Sequence, residues 1–203
     1  MARLANVADS PMDDDVLSLT DDHPPVPDQS AFWSRVDEFD DVVDGWFSSL
    51  RGHPALDQIF YHASELGDWS LVWHLLAAFG AVRSPRLEAN AVRVIASLGV
   101  ESLLVNGAFK SLIGRKRPVA EFERPLHLRI PRTTSFPSGH ASSATMAAIL
   151  LSEKDPKLKT FYASMAALIG VSRVYVRIHH ASDVLGGAAT GWALAKVVQR
   201  FTP

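Results

Sequence analysis

Apolar residues recur at intervals of three and four along most of this chain, the spacing that aligns one face of an α-helix. Phe32, Val36, Phe39, Val43, Trp46 and Phe47 keep that rhythm and predict an amphipathic helix from Phe32 to Leu50 whose opposite face is acidic. Its apolar stripe is expected to pack on a neighbouring helix, since a helix lying in a lipid interface would carry Lys and Arg on its polar face. Leu56, Ile59, Phe60, Ala63 and Leu66 predict a short helix opened by Pro54 and closed by Gly67. Asp68 stands where it would cap the next, from Trp69 to about Val82. Longer runs extend from Glu88 to Ile113, from after His140 to about Ser152, from Leu158 to about Ile178, and from Ser182 to about Gln199. Strand-like alternation is confined to Val174-Tyr175-Val176, inside one of these runs. The fold class is all-α, a bundle of about five to six helices.

Hydropathy alone favours a bundle in water. A spanning helix needs about 20 mostly apolar residues, and the stretches free of Asp, Glu, Lys and Arg, such as Trp69–Val82, Ala141–Ser152 and Val184–Ala195, fall short of that. In the other direction, the last helix carries Gly187-x3-Gly191, a small-residue pair of the kind that lets membrane helices approach closely.

Charge changes the picture at the N-terminus. The net charge is −2, yet residues 1–45 hold twelve Asp and Glu against two Arg, so the remaining chain is about eight charges positive. Residues 1–30 combine Asp13-Asp14-Asp15, Asp21-Asp22 and Pro24-Pro25-Val26-Pro27 with few large apolar groups. They cannot bury enough surface to offset the entropy of ordering, and a disordered acidic tail is expected there. Residues 31–203 then form a single helical domain. Cysteine is absent, which excludes thiolate chemistry and disulfides. The basic residues lack an interleaved aromatic platform, so no nucleic-acid role is expected.

The candidate chemistry lies in three ordered strings: Lys110-x6-Arg117-Pro118, then Pro137-Ser138-Gly139-His140, then Ser172-Arg173-x5-His179-x3-Asp183. Lys110 and Arg117 are two helical turns apart and would project from one face near a helix end stopped by Pro118. Arg115 and Lys116 beside them read as solvated cations. Ser138 and Gly139 precede a helical run, where free backbone N–H groups attract phosphate and Gly139 permits close approach. Asp183 stands four residues after His179 and three after His180, so spacing alone leaves open which imidazole it holds. Arg173 offers a planar fork for phosphate oxygens. Three cations, imidazoles, a hydroxyl and a carboxylate suit the binding of a tetrahedral oxyanion and attack at its centre.

All eleven specified positions match the signature of the type 2 phosphatidic acid phosphatase superfamily, which also includes the vanadium haloperoxidases. The resemblance covers Lys110 to Asp183. It implies an all-helical phosphatase working without a metal or other cofactor, acting on a phosphomonoester or pyrophosphate, most often of a lipid: phosphatidate, phosphatidylglycerol phosphate or a polyprenyl phosphate. By the same resemblance His179 is the nucleophile that forms a phosphohistidine, chosen over His180; Asp183 orients it; and His140 is the acid for the leaving group. Lys110, Arg117, Ser138, Gly139 and Arg173 would cradle the phosphate. The partners implied are a phosphorylated lipid and the membrane, with the chain an integral multi-helix protein of a prokaryotic cell membrane. Two alternatives remain open: a vanadium haloperoxidase, disfavoured by the small size and the short gap from Pro118 to Pro137, and a soluble non-specific acid phosphatase.

Overall fold

The computed structural model describes residues 29–120, 122–131 and 133–202. The expected acidic tail therefore lies outside the described residues up to position 28, as does Arg132, and α1 already begins at Gln29. The helices run in order α1 Gln29–Ser48, α2 Pro54–Leu66, α3 Leu71–Arg83, α4 Pro85–Leu112, α5 Gly139–Lys154, α6 Lys159–Tyr175 and α7 Ala181–Phe201. No strand occurs among the described residues.

Helix α4 starts a turn earlier than its apolar pattern predicts, because Pro85 occupies the first turn, where its missing N–H breaks no bond. Near its end the helix widens into a π-helical stretch, Leu104–Phe109, before a closing turn, Lys110–Leu112. Such a stretch rotates the register of the next turn of helix, the one that carries Lys110. The helix stops at Leu112, and Arg117 lies in a long non-helical segment, so the two cations do not share one helical face as expected. With 28 residues, α4 is long and apolar enough to cross a membrane by length and composition.

The core surrounds α5, which packs against α4, α6 and α7. Trp73, Val94, Leu98, Met146, Leu150 and Ile169 are buried there, interleaved with Ala144 and Ala147. Small residues set the spacing between α5 and α7. A Cβ on Gly187 would sit 2.3 Å from the carbonyl oxygen of Ser138, and one on Gly191 2.1 Å from that of Ser142. The two backbones touch at these points.

Helix α1 docks differently from the expectation. Phe32 and Trp46 remain 62% and 66% exposed, and only Val36, Val43 and Phe47 of the stripe are partly covered. What docks alongside them is the acidic edge: Asp40 is buried against Arg115, and Asp44 pairs with Arg51 and Arg177. The surface offered to α1 is basic, and that charge match decides which side turns inward.

Helix α6 ends at Tyr175, three residues before its expected limit. Arg177 adopts φ of 50°, in the left-handed region, and the chain turns so that the N–H groups of Ile178 and His179 both donate to the Arg173 carbonyl at 3.1 Å. The Val174-Tyr175-Val176 alternation thus marks a buried helix end, with Tyr175 stacked on Phe60 at 4.3 Å.

Candidate active site

The three strings converge at one end of the bundle. The second and third are tied directly, since the Ser138 N–H donates to the Asp183 carbonyl at 2.9 Å. Lys110, Gly139, His140 and His179 line a common cavity of about 460 Å³. Lys110 is itself buried, and its Nζ donates to Thr133 Oγ1 at 3.3 Å.

His179 sits in the turn between α6 and α7, 2% exposed. Its Nδ1 lies 3.5 Å from Asp183 Oδ2, within ion-pair range though longer than a good hydrogen bond. Burial, and after it the Arg173 and Arg117 charges, outweigh the pull of the Asp183 carboxylate and push the imidazole down to about 3. The ring is therefore neutral at neutral pH. His180 takes another part: it is the N-cap of α7, and its backbone N–H donates to Asp183 Oδ2 at 2.9 Å.

Arg117 is fixed by carbonyl acceptors, with Nε on Thr133 at 2.9 Å, Nη2 on Thr134 at 3.1 Å and Nη1 on Ile178 at 2.9 Å. The same Nη1 reaches His179 Nε2 at 3.1 Å. Arg173 is fully buried, bound through Nη1 to Ser64 Oγ, while its Nε and Nη2 have no protein partner. Two unspent N–H donors on a buried cation are what an anion would satisfy.

Ser138 is fully buried and caps α5, its Oγ accepting from the Ala141 N–H at 3.5 Å, so in this geometry it shapes the helix start. Gly139 comes next as the first helical residue, and a Cβ there would stand 3.9 Å from Lys110 Nζ. Gly139 and His140 at this helix start lie on the cavity wall, and the first N–H groups of a helix have no carbonyl partner within it. His140 Nε2 lies 2.9 Å from Asp68 Oδ1. Burial and then the Arg173 charge push this imidazole down to about 4 against the pull of Asp68. Burial works to raise Asp68, yet its bond to His140 and nearby cations hold it below the usual carboxylate range.

Several participants carry no recognisable sequence signal. Asp68 does not cap α3; it opens a tight turn in which Trp69 and Ser70 both have φ of 56°, and its carboxylate turns to His140 instead. Arg115 is no solvated cation: it bridges Asp183, Asp40 and Asp37. The loop between the first two strings supplies Arg129, Pro131 and Thr133 to the cavity wall, and Arg129 stacks over Trp69 at 4.3 Å. A larger cavity of about 770 Å³ lies beside α1 and α2, lined by Arg51, Asp57, Tyr61 and Arg177. It contains none of the eleven motif positions, and Arg51 there is already paired with Asp44.

An all-helical scaffold that gathers two neutral imidazoles, each facing a carboxylate, with buried cations around a helix start defines an enzyme of phosphoryl transfer. The chain belongs to the PAP2 superfamily, which it matches over residues 90–203, and it is a phosphatase of that superfamily. It is 30% identical over 146 residues to the decaprenylphosphoryl-5-phosphoribose phosphatase of Mycolicibacterium smegmatis, covering 69% of this chain and 76% of that one. Against phosphatidylglycerophosphatase B of Bacillus subtilis it is 29% identical over 164 residues, 75% of this chain and 78% of the relative. The crystal structure of a transmembrane PAP2 type phosphatidylglycerolphosphate phosphatase from Bacillus subtilis superposes with a TM-score of 0.65 at 28% identity, covering 82% of this chain and 86% of that one. Aquifex aeolicus LpxE gives a TM-score of 0.62 at 27% identity over 80% and 93% of the respective chains.

Proposed function

We propose that this chain removes the phosphate of a phosphorylated lipid through a phosphohistidine on His179, and that residues 31–203 form the single domain that does so. The reading is carried by one observation: His179 lines the cavity shared with Lys110, Gly139 and His140 while its Nδ1 faces a buried carboxylate. A neutral imidazole so held keeps its proton on Nδ1 and a lone pair on Nε2.

In the first step Nε2 of His179 attacks phosphorus, the bond from phosphorus to the leaving oxygen breaks, and His140 gives that oxygen its proton. Asp183 faces the Nδ1–H of the imidazolium that results. In the second step neutral His140 takes a proton from water as its oxygen attacks phosphorus, which frees inorganic phosphate and restores His179. Lys110, Arg117, Arg173 and the N–H groups at the start of α5 hold the phosphoryl oxygens through both. Because His140 is neutral before substrate arrives, the charge of the bound phosphate is what raises its affinity for the proton it donates.

The lipid character of the substrate is supported by the relatives, whose names specify a decaprenylphosphoryl phosphoribose, a phosphatidylglycerophosphate and lipid A. It is also supported by the outward faces of the helices. Leu71, Leu75, Phe79 and Val82 of α3 and Val92, Val100 and Leu103 of α4 are all exposed. Such an apolar exterior fits lipid better than water. We place the chain in a prokaryotic cell membrane as an integral protein, with α4 among several spans and the helix-end site at the membrane face. Carbonate extraction tests this: recovery in the aqueous fraction would refute integral insertion.

The chemical reading is tested by phosphate release in detergent from phosphatidate, phosphatidylglycerol phosphate and polyprenyl phosphates. Activity is expected to vanish in His179→Ala and to persist in His180→Ala, whose backbone N–H to Asp183 survives the change. The reverse pattern would move the nucleophile to His180.

A further inference from the structure

We infer that Arg115 and Asp40 are positioning residues for the nucleophile, holding Asp183 from the far side through a relay that begins on α1. The inference rests on His179 and Asp183 serving as proposed above. Asp183 has no exposed side-chain surface. A carboxylate in that position must be fully partnered or it takes up a proton. Its Oδ2 accepts from the His180 N–H at 2.9 Å and faces His179 Nδ1 at 3.5 Å. Its Oδ1 accepts from Arg115 Nη1 at 3.0 Å.

The guanidinium is pinned in turn. Its Nη2 donates to Asp40 Oδ2 at 2.7 Å and to the outlying Asp37 at 3.0 Å, and Nη1 also donates to Ser182 Oγ at 2.6 Å. Asp40 is 4% exposed. It accepts from the Ser182 N–H at 2.7 Å and from Ser182 Oγ at 2.6 Å, 142 positions along the chain. A carboxylate of α1 thus satisfies a free N–H at the start of α7, one residue before Asp183. Both arms of the Arg115 fork are used, one toward each buried acid, which an ammonium group reproduces poorly.

The consequence is mechanical and electrostatic together. With Oδ1 held, the Asp183 carboxylate cannot rotate Oδ2 away from His179 Nδ1, and with a cation beside it the carboxylate stays ionised. Both effects keep the His179 proton on Nδ1 and the lone pair on Nε2. Helix α1, which contains none of the three strings, thereby becomes part of the catalytic apparatus.

Arg115→Lys, Asp40→Asn and their combination in the full chain test this, assayed in detergent with p-nitrophenyl phosphate across pH. Arg115→Lys is expected to lower kcat about ten- to a hundredfold, the value of a hydrogen bond to a charged group, with KM changed by less than about twofold. The acid limb of the kcat/KM profile moves to higher pH, because a shorter ammonium cannot donate to Asp183 and Asp40 together, and Asp183 protonates more readily with its Oδ1 less well held. The double variant is no worse than Arg115→Lys alone, as residues on one relay are not additive. Wild-type kcat and an unmoved acid limb in both single variants, even with lowered melting temperatures, would reduce the network to a structural tie and overturn the inference. An inactive His179→Ala beside a fully active Arg115→Lys would overturn it while leaving the nucleophile in place; turnover surviving in His179→Ala would overturn both.

Discussion

Arg117 Nη1 lies 3.1 Å from Nε2 of His179, the nitrogen proposed to attack phosphorus. In the mechanism proposed above, the lone pair is thus held by the same cation that later holds a phosphoryl oxygen. That mechanism requires substrate to take over the guanidinium as it arrives and so release the nitrogen. Arg117→Lys tests this exchange. A lysine at this position loses the bonds to Thr133, Thr134 and Ile178 that aim the guanidinium. We expect kcat/KM for any phosphomonoester to fall about a hundredfold, the scale of losing one transition-state donor. A fall of less than about threefold would show that position 117 contributes charge alone.

Asp68 should matter according to the leaving group. It pulls the His140 proton affinity upward against burial and Arg173. Asp68→Asn removes that pull, so less His140 is protonated when an alkoxide must depart. Alkyl phosphates, which depend on the acid, are expected to lose about a hundredfold in kcat. Aryl phosphates such as p-nitrophenyl phosphate, whose leaving group needs no proton, should lose far less. Equal losses for both would remove His140 from the acid role.

Both buried imidazoles make the fold acid-sensitive. His140 and His179 bind protons less readily folded than unfolded, at about 4 and about 3 against about 6.5 in an unfolded chain. Their contribution to stability is therefore complete above about pH 6.5 and is lost progressively as pH falls toward those folded values. Melting temperature in detergent should be flat from about pH 8 to 7 and should drop from about pH 6 to 5. His140→Gln is expected to flatten that drop, and an unchanged slope would place its origin elsewhere.

Gly191→Ala tests the seam between α5 and α7. Its new methyl carbon would lie 2.1 Å from the Ser142 carbonyl oxygen, and nearby backbone rather than a flexible side chain must yield. A destabilisation of at least about 1–3 kcal/mol is expected from such overpacking. It is read from chemical or thermal unfolding, with Gly99→Ala as a control, since nothing lies within 4 Å of a Cβ there.

Much of this site can be read from residue order, and the reasons for the remainder are specific. The second and third strings are legible because each falls at a chain feature with its own local signature: a glycine at a helix start, and a carboxylate four residues after an imidazole. Asp68, Asp40 and Arg115 have no such signature. They act on residues 72, 142 and 68 positions away in the chain, so only tertiary convergence gives them meaning. Helix α1 shows the same limit. Its apolar periodicity is plain in the sequence, but the side it docks depends on Arg51, Arg115 and Arg177 gathering opposite it. The expected shared face for Lys110 and Arg117 does not form, because the chain leaves the helix at Leu112 and brings Arg117 back through the loop.

The glycine contacts between α5 and α7 set the frame on which the site is built. With the Ser138 and Ser142 carbonyls lodged against Gly187 and Gly191, the helix bearing His140 and the helix bearing Asp183 lie in direct backbone contact. Arg117 comes to this frame from a loop, which is tied to it through Ile178 and His179 and, by way of Arg115, through Ser182 and Asp183. The proposed acid and the carboxylate behind the proposed nucleophile are thus set at one spacing by the backbone alone, and the segment of the phosphate clamp is pegged to that frame at two points, so a change at either glycine would be felt at every group of the site.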